Sequence, residues 1–67
     1  MTRTQIQRLF RRITGLSARP HDVEVIEAKG SRPYDLASYV VDEQWLDDPR
    51  ITVDQLVARI NKELPNA

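Results

Sequence analysis

Two stretches of the chain carry apolar residues at the spacing of a single helix face. The first has them at i, i+3, i+4 and i+7, namely Ile6, Leu9, Phe10 and Ile13, a stripe typical of an amphipathic helix. Gly15 follows at a point where a left-handed residue often ends a helix. This pattern predicts a helix from about residue 4 to residue 14.

The second stretch begins at Thr52, which precedes Gln55 by three positions, the spacing of a capping box. Its apolar stripe consists of Val53, Leu56, Val57 and Ile60. Pro65 then prevents the helix from continuing. We therefore predict a second helix from about residue 53 to residue 63.

The middle of the chain is harder to assign. Val23 and Val25 alternate with acidic residues, which predicts a strand over about residues 22–28 with one face in water. Such a strand needs a partner for its backbone groups. Residues 34–46 fit either a second strand or a helix, since their β-branched residues favour a strand whereas Pro33 is typical of a helix start.

Together these segments predict a small single domain over residues 1–67 of the α+β class, arranged as helix, β-hairpin, helix. The alternative is a mainly α domain of three helices with one short strand. In that case the strand has to pair with another molecule.

Composition excludes several functions. The 67 residues include no cysteine and one histidine, His21, so disulfides, cysteine-bound zinc and multi-histidine metal sites are ruled out. No apolar run reaches the roughly 18 residues of a membrane span. A chain this short rarely encloses a substrate pocket. We expect a cytoplasmic domain that is not an enzyme, has no metal or cofactor, and does not bind membranes.

The charges sum to zero but are unevenly placed. Residues 1–20 contain five arginines and no acid, whereas residues 21–48 contain eight acids against Lys29 and Arg32. Three arginines lie off the apolar stripe of the first predicted helix, and a tryptophan stands among acids later in the chain. The residues predicted to bind a partner are Arg8, Arg11, Arg12, Trp45, Asp47 and Asp48.

These two surfaces predict a non-catalytic adaptor or regulator that docks on another protein, with a homodimer as a further option. For Trp45 the competing interpretation is that it closes one end of the core. The alternative function is DNA binding by a helix-turn-helix that uses the C-terminal helix and the N-terminal arginines. Its candidate contacts are Arg3, Arg8, Arg12, Gln55, Arg59 and Lys62.

Overall fold

The structure, a computed structural model, describes residues 1–64 and consists of four α-helices. They are α1 (Arg3–Thr14), α2 (Pro20–Lys29), α3 (Pro33–Asp42) and α4 (Val53–Glu63). No strand occurs within residues 1–64. The predicted α+β class with its β-hairpin is therefore wrong, and the mainly α alternative fits, with a fourth helix where it placed a strand.

Helices α1 and α4 coincide with the two helices predicted from the apolar stripes. Each begins with a capping box, Thr2 with Gln5 and Thr52 with Gln55, in which the side chains and backbone N–H groups bond reciprocally. Gly15 ends α1 with a φ of 76° and donates its N–H to the Arg11 carbonyl at 2.7 Å. Pro65 lies outside the described residues.

The strand predicted over residues 22–28 is instead helix α2. Pro20 occupies the first helical position, and Val23 and Ile26 reach the core at helical spacing. Proline suits this position because its φ already matches that of a helix. It has no N–H, but an N–H at the first helical position would have no acceptor within the helix. The alternation that suggested a strand covers only two valines. Two positions are too few to distinguish the two-residue period of a strand from the 3.6-residue period of a helix.

Helix α3 occupies the segment whose sequence fitted either a strand or a helix. Like α2, it has a proline, Pro33, at its first position. It ends at Asp42, earlier than the predicted residue 46. Gln44 adopts a left-handed conformation with a φ of 55°, and the Trp45 N–H donates to the Val40 carbonyl at 3.0 Å. This bond pattern is that of a Schellman motif. Residues 43–52 therefore form a long connection to α4.

All four helices contribute to one apolar core, and α4 packs chiefly against α3. The buried apolar residues are Ile6, Leu9, Phe10, Ile13, Val23, Ile26, Leu36, Ala37, Tyr39, Val40, Leu56 and Ile60. Since the stripe of α1 faces this core, the arginines on its opposite side face outward.

Only three residues, 30–32, join α2 to α3. Gly30 makes this possible with a φ of 132°, a conformation that side-chain-bearing residues rarely adopt. A Cβ atom at this position would also lie 3.2 Å from the Asp35 carboxylate. The turn therefore depends on glycine, and it fixes α2 and α3 close together.

Candidate interaction surfaces

The predicted arginine-rich face is present on α1 but is partly engaged within the domain. Arg8, Arg11 and Arg12 are all exposed. Arg12 forms an ion pair with Glu63 on α4, and Arg11 donates to the Ser17 hydroxyl at 2.7 Å. These contacts orient the arginines, and the Glu63 carboxylate offsets part of their charge.

The residues proposed for DNA contact are only partly brought together. Arg59 donates to the Arg12 carbonyl at 3.4 Å, so α4 and α1 place two arginines side by side. Arg3 lies in an ion pair with Glu27 at 2.6 Å. The side chain of Gln55 accepts the Thr52 N–H at 2.9 Å as part of the helix cap. Lys62 is exposed on α4.

The connection before α4 also differs from that of a helix-turn-helix. It spans residues 43–52, whereas such a motif uses a turn of about three or four residues. The short turn in this domain instead precedes α3, and the outward face of that helix carries Tyr34, Ser38 and Asp42 rather than basic residues. The arrangement gives little support to the DNA-binding alternative.

Trp45 lies at one end of the core, partly buried. Its ring meets the ring of Phe10 edge-on, with the centroids 5.0 Å apart and an interplanar angle of 76°. The Arg19 guanidinium lies over the indole ring, 5.9 Å from its centroid. The indole N–H is buried and has no hydrogen-bond partner among residues 1–64. This placement supports the interpretation that Trp45 closes the core.

The acidic residues next to Trp45 border an open cleft of about 430 Å³ between the end of α3 and the connection to α4. We call it the acidic cleft. Its apolar lining includes Val40, Leu46 and Ile51, and its polar lining includes Asp47 and Asp48. An apolar surface bordered by carboxylates can bind a side chain or peptide that is both apolar and cationic.

The two carboxylates of the acidic cleft differ in their partners. Asp48 accepts hydrogen bonds from the Arg50 side chain at 3.0 and 3.2 Å and from its backbone N–H at 2.9 Å. These bonds lower the pKa of Asp48. Asp47 is exposed and forms no ion pair within residues 1–64. Asp47 therefore supplies the uncompensated charge of the acidic cleft.

A buried polar cluster that joins the start of α2 to α3 escaped the sequence analysis. The Asp22 side chain is fully buried and accepts bonds from Arg19, through its backbone N–H at 2.8 Å and its guanidinium at 3.1 and 3.3 Å. The Tyr39 hydroxyl also donates to Asp22. Three side chains from the α2 start and α3 thus form one hydrogen-bonded unit.

These contacts shift two pKa values in opposite directions. Burial disfavours the charged form of Asp22, but the hydrogen bonds from Arg19 and Tyr39 outweigh it and lower the pKa of Asp22 to about 2. Burial, reinforced by the bond to Asp22, raises the pKa of Tyr39 to about 12. At neutral pH the cluster therefore holds a carboxylate and a protonated phenol.

The same local arrangement occurs again at the start of α3. Arg32 donates to Asp35 through its backbone N–H at 2.9 Å and its guanidinium at 2.9 and 3.1 Å. The sequence signal is the four-residue pattern Arg-Pro-x-Asp, present at residues 19–22 and 32–35. Because the residue before proline is forced out of the helical region, arginine takes the N-cap position in both. The aspartate then caps its backbone N–H.

Within residues 1–64, no helix has the length and apolar composition required to cross a membrane. That part of the chain also contains no group of three or more histidine, aspartate or glutamate side chains arranged to hold a metal ion. No protein-family model, curated protein or solved structure matches this chain.

Proposed function

We propose that this domain is a non-catalytic interaction module whose acidic cleft binds a segment of a partner protein carrying an aliphatic side chain next to an arginine or lysine. The observation that carries the proposal is the combination of an apolar lining with the unpaired Asp47 carboxylate in a cleft of about 430 Å³. A cytoplasmic setting belongs to the same proposal, because a chain without cysteine uses no disulfide chemistry.

The position of the acidic cleft adds to its negative potential. Val40, Val41 and Gln44, at the carboxyl end of α3, form one of its walls. The carboxyl end of a helix carries partial negative charge, and the last turn of α3 contains no basic residue to offset it. Glu43, which is exposed just beyond that turn and directly precedes the cleft residue Gln44, adds a further carboxylate at the end of α3.

Of the two predicted docking surfaces, the acidic cleft is better suited to hold a peptide. The outward face of α1 is polar along its whole length, so it offers charge without an apolar centre. Protein interfaces gain most of their affinity from a desolvated apolar centre, whereas charges at the rim contribute mainly to rate and orientation. The acidic cleft offers both features in one place.

The proposal is tested by selecting peptides from a random library displayed on phage and measuring the affinity of the selected sequences by isothermal titration calorimetry. We expect the selected peptides to carry an aliphatic residue beside an arginine or lysine. Asp47→Asn should weaken their binding about twofold to fivefold at low salt, the effect of one exposed ion pair. Filling the cleft with Val41→Trp should abolish binding.

Glu24→Gln is the matched control, since Glu24 is an exposed acid on α2 that does not line the acidic cleft. It should leave the affinity unchanged. Selection of acidic peptides, or equal losses for Asp47→Asn and Glu24→Gln, contradicts the proposal.

The DNA-binding alternative has its own test, a gel mobility shift with duplex DNA at low salt. Phosphate binding weakens with salt at a slope near −0.9 per phosphate contacted, so it differs from peptide binding in its salt dependence. A steep slope that is lost in Arg8→Ala/Arg12→Ala would favour DNA. We expect no shift.

A further inference from the structure

A second depression, of about 380 Å³, lies between the outward face of α1 and the segment that follows this helix. Thr4, Arg8 and Arg11 line it from α1 at i, i+4 and i+7, which is one face of a helix. Gln7 completes the helical side, and Ser17 lies opposite. This depression is separate from the acidic cleft, with which it shares no lining residue.

The polar groups that line this depression are suited to an anion. It combines two guanidinium groups with two hydroxyls and one side-chain amide, all of which donate hydrogen bonds. No aspartate or glutamate is among the lining residues.

Arg11 is held in place for such a role. One N–H of its guanidinium donates to the Ser17 hydroxyl at 2.7 Å, which ties the side chain to the opposite wall. A guanidinium has five N–H donors in a rigid fork, and within residues 1–64 the described bonds take only one of them. An oxyanion in the depression therefore meets an arginine that has already lost part of its conformational freedom.

We propose that this depression, here called the α1 anion site and consisting of Thr4, Gln7, Arg8, Arg11 and Ser17, binds the phosphate dianion, either free or as the monoester of a small molecule. Phosphate fits better than a carboxylate, because its oxygens are arranged tetrahedrally and can accept bonds from both the helix and the opposite wall. This site functions independently of peptide binding in the acidic cleft.

The test is a nuclear magnetic resonance titration of the full ¹⁵N-labelled chain with inorganic phosphate and, separately, with O-phosphoserine, at an ionic strength held constant with sodium chloride. Both probes are expected to produce saturable shifts in the amide signals of Thr4, Gln7, Ser17 and Ala18. Tighter binding of O-phosphoserine identifies a monoester as the ligand, and equal binding identifies the phosphate group alone.

Three variants connect the shifts to the site. Arg11→Gln should weaken phosphate binding about tenfold, as expected for the loss of a charge-assisted hydrogen bond. Ser17→Ala should weaken it less, because it releases Arg11 without removing its charge. Arg50→Gln is the control, since it removes one positive charge from an exposed arginine that does not line this site.

Circular dichroism of each variant establishes that the helices are retained, and all three positions are exposed. Two results overturn the proposal. One is shifts that sodium chloride reproduces or that never saturate. The other is an equal loss of affinity in Arg11→Gln and Arg50→Gln, which would indicate a response to net charge and no specific site.

Discussion

Two regions of this domain have the same local sequence and the same local hydrogen bonds but very different surroundings. The first Arg-Pro turn (residues 19–22) begins α2, and the second Arg-Pro turn (residues 32–35) begins α3. In each, an exposed arginine caps the helix together with a nearly fully buried aspartate, and the side chains of Arg19 and Arg32 are 68% and 67% exposed. The local geometry is thus a property of the four-residue pattern.

The difference lies in what the rest of the chain adds. Around the first Arg-Pro turn, Tyr39 donates to Asp22 and the ring of Trp45 lies beneath Arg19. Around the second, within residues 1–64, Asp35 accepts hydrogen bonds from Arg32 alone. The first turn therefore connects α2 to α3 and to the core, whereas the second serves mainly to start its own helix.

The largest expected difference is between Asp22→Ala and Asp35→Ala. Removing Asp22 leaves the buried Tyr39 hydroxyl and the Arg19 backbone N–H without an acceptor. We therefore expect a loss of about 3 kcal/mol in the free energy of unfolding. Removing Asp35 should cost about 1 kcal/mol, which is typical for the loss of a helix cap. Urea unfolding followed by circular dichroism measures both.

Tyr39→Phe provides the control for this pair. In the Tyr39→Phe background, the cost of Asp22→Ala should fall toward that of Asp35→Ala, because the hydroxyl that depended on the carboxylate is gone. Equal losses for the two single aspartate variants would contradict the proposed difference between the turns.

A smaller difference is expected in the dependence of stability on pH. The folded-state pKa of Asp22 is about 2, below the ordinary value of 3.8 for an unperturbed aspartate. The stability that its charge provides is therefore complete above about pH 4 and is lost as the pH falls toward 2. The difference in unfolding free energy between the wild type and Asp22→Asn should shrink over this interval.

The second Arg-Pro turn supplies the comparison. The pKa of Asp35 is also lowered, by its bonds from Arg32 and against the effect of burial, but without the contribution of a buried tyrosine. Urea titrations at several pH values should therefore show a weaker acid dependence for the difference between the wild type and Asp35→Asn. A stronger dependence at Asp35 than at Asp22 would refute this ranking.

The smallest expected effect is spectroscopic. Trp45 is the only tryptophan, so its fluorescence emission reports directly on the ring beneath Arg19. Arg19→Gln should alter the emission maximum and intensity because the cation over the ring is removed. Arg32→Gln, the matched substitution in the second turn, should leave the emission unchanged. Identical spectra for the two variants would place Arg19 away from the indole in solution.

The contrast between the turns also explains which parts of the fold were predictable. Helices α1 and α4 have wide apolar stripes and Thr–Gln capping boxes, so local patterns were sufficient. Helix α2 has no such stripe, because its buried residues are Val23, Ile26 and a charged residue, Asp22. Nothing local indicates that Asp22 is buried, because its burial depends on Tyr39, which is 17 positions away in the chain.

The candidate sites were predictable to a similar extent. Charge layout identified Arg11 and Asp47, and both lie in depressions of the surface. The opposite walls of these depressions could not be inferred, because they depend on the course of the segments after α1 and α3. For Trp45 the sequence offered two interpretations, a partner contact and a residue that closes the core, and its edge-on contact with Phe10 supports the second.

The unequal lengths of the two later connections have a consequence for how this domain can vary. The three residues between α2 and α3 depend on Gly30, so added residues there would separate the helix pair. Residues 43–52 carry one side of the acidic cleft, and lengthening a loop of this size adds little closure entropy. The exposed residues of this connection are thus free to change in length and sequence, and with them the peptide preference proposed for the cleft, while the core contacts of Trp45, Leu46 and Ile51 and the helical scaffold stay the same.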